Sequence, residues 1–360
     1  MREGKILKTK YLLFLAFLCP AFIFCFAVRA EKLPLKNYSS ADGLASDVVN
    51  KIVADSRGFL WFCTADGISR FDGYKFKNYT QEQGLPHRSI DDFLETKDGD
   101  YLMATSNGLA VFNPNGKAYR WNFIKNELEQ NSSEPPLFKT YIPPNDPNLT
   151  GSKNIVSFAQ DGNGNIYVST RYNLYRFVKT STDWQFQKVE FAQSSNEKTD
   201  ISGILFTDSG GDLWFAMAYF IYRISKNGEI EKISEPGGNG FFEDRDRNIW
   251  INSGGHDLGI RVFSIQNNKP VQKNLYTKKD GLFMNSFSNA IAQDVEGKLF
   301  IVSGGKLFKF IPNAKENELK FRPLENEEIT TAVSKEQSIW FSFQAKGVAR
   351  YSSNSFYTFD

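Results

Sequence analysis

The 360-residue sequence predicts an all-β fold, a seven-bladed β-propeller of four-stranded antiparallel blades. Three observations predict it. A turn-and-strand motif recurs seven times, the composition is rich in aromatics, and helical periodicity is almost absent beyond residue 30.

The motif is clearest in "DSRGFLWFCTADGISRFDG", residues 55–73. Aligned on Trp61, Asp55 lies six residues earlier and Gly58 three earlier. The same frame surrounds Trp214, with Asp208 and Gly211, and Trp250, with Asp244 and with Arg247 in the glycine place. It returns at Tyr167 with Asp161 and Gly164, and at Phe300 with Asp294 and Gly297. Weaker copies sit at Leu102, with Gly99, and at Trp340, which has lost both turn residues. Spacings of 36 to 65 residues indicate a propeller or solenoid, since an active site seldom recurs seven times in one domain.

Each copy reads as four strands. In the first they are "VVNKIVAD", "FLWFCT", "ISRFDG" and "KFKNYT", separated by short turns. Continuous apolar runs such as "FLWF" fit strands covered on both faces by neighbouring blades. The 33 Phe, 15 Tyr and 6 Trp favour pleated surfaces over helices. Asp55, Gly58, Asp208, Gly211 and Asp244 therefore read as turn residues. An aspartate accepts backbone N–H groups two residues on, and glycine tolerates positive φ. Trp61, Trp214, Trp250 and Trp340 read as packing anchors between blades.

Residues 1–30 read as a signal peptide, leaving the propeller in 31–360. Arg2, Lys5, Lys8 and Lys10 give a positive start, Tyr11 to Val28 is uncharged and apolar, and Val28-Arg29-Ala30 is a small-residue cleavage site. The alternative is an uncleaved membrane anchor, because eighteen apolar residues just span a bilayer. The expectation is an exported, periplasmic or extracytoplasmic protein. Beyond residue 30 there are 38 Lys+Arg against 40 Asp+Glu, so no basic field attracts nucleic acid. Cys63 is then the only cysteine, and no disulfide framework exists within the chain.

"ADGLASDVVNKIVADSRGFLWFCTADGISRFDGYKFKNYT" (41–80) resembles, nearly end to end, the two-component regulator propeller repeat. "KDGLFMNSFSNAIAQDVEGKLFIVSGGKLFKF" (279–310) is a looser match, and the other copies are fragmentary. The resemblance implies the extracytoplasmic sensor half of a signal-transduction receptor. In that family a kinase or other output domain often follows further along the chain, and none is present in these 360 residues.

Closure is ambiguous in the sequence. "LPLKNYSS" (33–40) and "NSFYTFD" (354–360) both resemble the fourth strand of a blade, one candidate too many. Because the repeat would continue past Asp360, the reading favours a chain truncated relative to a longer receptor. Residues 125–154 hold five of the thirteen prolines and read as an insertion off blade two.

Chemistry is sparse. The two histidines, His87 and His256, fall in different blades, so no metal site and no cofactor are expected. "DGNGNI" (161–166) begins like a calcium loop, but Ile166 stands where that loop needs glycine. Asp91-Asp92 and Glu327-Glu328 are adjacent on strands, where neighbours point to opposite faces, and read as surface charges.

The loops entering each first strand share a face with the loops joining second to third strands. On this loop face lie His87, Arg88, Arg171, Tyr172, Tyr219, His256, Asp257 and Gln344, a set suited to a small polar ligand or carbohydrate. The expected function is ligand sensing without catalysis, with a protein partner or a missing downstream domain as output and a homodimer as one possible state. The alternatives are a propeller enzyme of lyase or glycosidase type and a pure protein-interaction scaffold.

Overall fold

The computed structural model describes residues 35–144, 150–190, 204–217, 220–234, 238, 240–252, 259–282, 290–315, 318–325, 329–335 and 338–352. They form seven four-stranded antiparallel sheets. Blade one runs Val49–Ala54, Leu60–Thr64, Gly67–Phe71 and Phe76–Tyr79. Blades two to six begin at Ile90, Ile155, Leu205, Gly240 and Ile291. Blade seven takes Ile329–Lys335, Ser338–Phe343 and Val348–Ser352 from the end of the chain. The first strand of each blade touches that of the next, and blade seven touches blade one, so the ring closes.

The ring is fastened by the chain's own beginning. Leu35–Tyr38 pairs antiparallel with Val348–Ser352, in register from Leu35 opposite Tyr351 to Tyr38 opposite Val348. Of the two rival fourth strands, the N-terminal one fills blade seven; residues 354–360 lie outside the described residues, as do residues 1–30. Tyr38 then stacks on Trp340 at 5.4 Å and meets Phe71 edge-on, which seals the seam between blades seven and one.

The core is divided among the seams. One apolar cluster joins Trp61, Cys63 and Ile68 of blade one to Phe93, Met103 and Phe112 of blade two. Similar clusters occupy each following seam round to Trp340 against Phe62. A second strand therefore has a seam on each face, and "LWFCT", "YLMAT" and "IYVST" are buried at every residue. Each large apolar side chain so buried contributes about 1.5–3 kcal/mol.

The repeated aspartate closes the turn between first and second strands. Asp55 Oδ1 accepts the N–H groups of Arg57 (3.0 Å) and Phe59 (2.8 Å), while Oδ2 accepts Trp61 Nε1–H (2.8 Å). Asp208 binds Asp212 N–H and Trp214 Nε1–H, and Asp244 binds Asn248 N–H and Trp250 Nε1–H. In blade three Tyr167 replaces the tryptophan, and Asn165 Nδ2 donates to Asp161 Oδ2 instead (2.8 Å). That turn consumes the carboxylate of the calcium-like "DGNGNI". In blade six the Phe300 side chain has no N–H to give, and Asp294 Oδ2 is buried without a hydrogen-bond partner among the described residues.

A second repeated device ties blade to blade. The residue after the aspartate, or after Thr96 in blade two, donates its N–H to a side chain ending the next blade's first strand. Ser56 bonds Glu95 (2.6 Å), Lys97 bonds Gln160 (2.7 Å), Ser209 bonds Glu243 (2.6 Å) and Arg245 bonds Gln293 (3.0 Å). At the seam of blades three and four the corresponding residue is Thr207, too short to reach. There Gly162 N–H bonds Gly211 O directly (2.8 Å), with the two glycine backbones in contact.

The segment 125–154 contains an ordinary blade strand. Phe138–Tyr141 is the fourth strand of blade two. The excursion before it, 113–137, carries a small hairpin of Trp121–Asn122 with Glu127–Leu128.

Candidate functional site

The loop face of the ring is built from chain entries into the first strands. Before blades one, two and six the entry is a single 3₁₀ turn with a capping box: Ser39 with Asp42, Thr80 with Gln83, Thr277 with Asp280. A left-handed glycine ends each turn, Gly43, Gly84 or Gly281, which is the physical content of the repeated "DGL" or "QGL".

Just past the entry the first strand bulges. The register shifts between Val49 and Lys51, Ile90 and Asp92, Ile155 and Ser157, and Ile329 and Thr331. A bulge leaves one residue unpaired and re-aims its side chain. The residues so released are Asn50, Asp91, Val156 and Thr330, all at the loop-face end of innermost strands.

Around Asn50 and Asp91 a polar group assembles. His87 Nδ1 accepts Ser89 N–H (3.1 Å), an arrangement that leaves Nε2–H as the ring's donor. Ser89 Oγ–H donates to Asp91 Oδ1 (3.2 Å), and Asn50 Nδ2 donates to Ile90 O (2.9 Å) and Ser89 Oγ (3.3 Å). Burial raises the Asp91 carboxyl above its ordinary range, against the opposing pull of the Ser89 bond. Asn50 Oδ1, Asp91 Oδ2 and His87 Nε2 have no hydrogen-bond partner among the described residues. The group, linked through Ser89, thus offers two acceptors and one donor.

Beneath lies a buried belt. Asp92, 1% exposed, pairs with Lys51 and accepts Ser157 Oγ–H (2.8 Å) and Phe158 N–H (3.0 Å). Ser157 Oγ in turn accepts Leu205 N–H (3.2 Å), so one chain of bonds crosses blades one to four. Burial, reinforced by Asp92, pushes the Cys63 thiol well up, which leaves it an unreactive packing residue.

The structure corrects the surface-charge reading of Asp91-Asp92. Alternation fails at the bulge, and Asp92 turns inward to bind Lys51 of blade one and Ser157 and Phe158 of blade three. Glu327 and Glu328 lie outside the described residues.

Of the expected loop-face residues, only His87 enters this polar group. Arg88 is exposed, and its carbonyl accepts Gly67 N–H (2.6 Å). Arg171 lies over the Tyr172 ring at 5.7 Å, and Tyr172 O–H donates to Thr150 O (2.9 Å), in blade three. Gln344 is exposed in the corresponding turn of blade seven. Tyr219, His256 and Asp257 lie outside the described residues. Asn50, Ser89 and Asp91 were missed from sequence. Their signal is a polar residue eleven positions before the blade anchor, as in Asn50 before Trp61 and Asp91 before Leu102.

No protein-family model matches the chain, and no curated protein matches its sequence. Solved structures share the fold. One is a catalytically inactive virginiamycin B lyase from Staphylococcus aureus with quinupristin, at TM-score 0.63 and 16% identity over 89% of this chain and 99% of that one. Another is the extracellular domain of a hybrid two-component system from B. thetaiotaomicron, at TM-score 0.59 and 17% identity, covering 89% of this chain and 42% of that one. A third is PorZ, a surface component of the type-IX secretion system of Porphyromonas gingivalis, at 0.57 and 14%, covering 86% and 47%. The chain spans the whole length of the lyase but under half of the sensor domain and of PorZ. Its structural neighbours are thus propellers of both sensory and enzymatic proteins.

Proposed function

We propose that this chain is an extracytoplasmic ligand-binding propeller of a two-component-type receptor, and that it reads a small polar ligand, a carbohydrate, on its loop face. The observation that carries the reading is the group of Asn50, His87, Ser89 and Asp91. Two bulges release Asn50 and Asp91 from pairing, and three polar atoms of this one hydrogen-bonded group have no partner among the described residues. Two acceptors and a donor match the hydroxyl groups of a sugar, each of which both donates and accepts. The repeat resemblance over 41–80 and the sensor-domain likeness support placing the protein in signal transduction. Residues 1–30 serve export, and the output belongs to a downstream domain or a protein partner.

The mechanism follows from the belt below the site. A ligand that draws on Asp91 also loads the first strand of blade two, whose Asp92 holds blades one and three, with Ser157 passing the link on to blade four. Binding therefore stiffens the ring across several seams.

The test is a thermal-shift screen of the exported protein against neutral mono- and oligosaccharides. A hit raises Tm and is weakened at least tenfold by Asp91→Asn or Asn50→Ala. A hit consumed with release of product would favour the lyase or glycosidase reading, and a panel without hits would remove the carbohydrate.

A further inference from the structure

The opposite face, formed by the aspartate turns and the hairpins between third and fourth strands, carries clefts between blades. Those at the seams of blades two and three and of seven and one measure ≈ 120 and ≈ 250 Å³. The cleft between blades four and five is much larger, ≈ 590 Å³, within the range of small-molecule sites.

Its wall is fixed by a buried arginine. Arg223, 1% exposed, pairs with Asp212 and Glu231 and donates to Asn268 O (2.8 Å) and Oδ1 (2.9 Å). Asn267 and Asn268 both have positive φ, 50° and 62°, as in a tight hairpin turn. Arg223 of blade four thus grips the hairpin of blade five beside the cleft.

The charges within it divide into two sets. Asp212 and Glu243 are occupied, by Arg223 and Lys226 N–H and by Ser209 respectively. Lys226, Asp246 and Arg247, all exposed, line the cleft and make no ion pair among the described residues, not even Asp246 with Arg247. Arg247 also holds a conformation that a side chain resists. Its φ is 60°, at the position where blades one, two, three, four and six have glycine at positive φ. Backbone strain of this kind clusters at ligand clamps and active sites, which directs attention to the Arg247 side chain.

We infer that this cleft binds a zwitterionic ligand, an amino acid or short peptide with a free carboxylate and a free ammonium group. Arg247 and Lys226 take the carboxylate, and Asp246 takes the ammonium. The site lies on the face opposite the sugar-binding group and is independent of it.

The test is isothermal titration with three probes: triglycine, N-acetyltriglycine, which lacks the ammonium, and triglycinamide, which lacks the carboxylate. Triglycine is expected to bind with a Kd of about 1 mM or better, and each blocked form at least about tenfold more weakly. Arg247→Gly is expected to weaken triglycine about tenfold, leave triglycinamide unchanged and leave Tm equal or higher, since glycine relieves the strained φ. Asp246→Asn should do the same for the ammonium, weakening triglycine but not N-acetyltriglycine. Equal binding of all three probes, absence of saturable triglycine binding at about 10 mM, or an Arg247→Gly protein that binds normally overturns the inference.

Discussion

Replacing Trp214 by phenylalanine tests how the repeated turns hold the ring. The indole is fully buried, and its Nε1–H donates to Asp208 Oδ2 at 2.8 Å. Phenylalanine keeps the ring face but leaves a buried carboxylate oxygen without a donor, at a cost of about 1–3 kcal/mol. Shrinking the side chain inside a packed seam adds about 1–2 kcal/mol. The control is Trp340→Phe, in a blade whose turn, residues 334–338, has no aspartate, so only the packing loss applies. Urea unfolding followed by far-UV circular dichroism should place Trp214→Phe about 1–3 kcal/mol below Trp340→Phe. The difference should also depend on pH. Burial already raises the Asp208 carboxyl, and the Trp214 bond opposes that rise. Without the bond the folded-state pKa climbs further, so the deficit is full above it and shrinks as pH falls through it. Equal losses for the two variants, or a deficit independent of pH, would refute the role assigned to the aspartate–tryptophan bond.

Other outcomes follow from single positions. Gly211→Ala should cost far more than Gly58→Ala: both have φ near +90°, but a Cβ on Gly211 meets Gly162 Cα at 2.6 Å, and one on Gly58 meets nothing within 4 Å. The backbone term common to both is about 1–2 kcal/mol, and the clash adds about 1–3 kcal/mol, readable by urea unfolding. Glu95→Ala removes both bonds from Ser56 (2.6 and 2.7 Å) and should cost about 1 kcal/mol, with faster amide exchange at Ser56 and none at Ser209. Asp91→Asn should raise Tm at neutral pH and lose that advantage in acid. The raised folded-state pKa means the ionised form is disfavoured by folding, a cost absent below the unfolded pKa and complete above the folded one.

The ring was legible in the sequence because its cause is local. Asp55, Gly58 and Trp61 lie within one turn and strand, so the pattern survives translation along the chain and can be counted. Closure was not decidable from sequence, because "LKNY" and "SFYTF" present the same strand pattern, and pairing with Val348–Ser352 joins residues about three hundred positions apart. The blade-to-blade bonds were invisible for a related reason. Glu95 and Gln160 look like ordinary strand-end polar residues until the ring sets them beside Ser56 and Lys97. The polar group around Asp91 was hidden by the assumption of strict alternation at Asp91 and Asp92. A bulge of a single residue separated a buried structural carboxylate from a released one.

The central claim, that the loop face receives the ligand, is tested most directly by amide hydrogen exchange with and without the best carbohydrate from the screen. The account predicts ligand-dependent protection of the segments around Asn50 and 87–92, spreading to Ser157 and Leu205 through the Asp92 belt. Protection confined to the opposite face, at 208–212 and 243–247, with the segments around Asn50 and Asp91 unchanged, would contradict it.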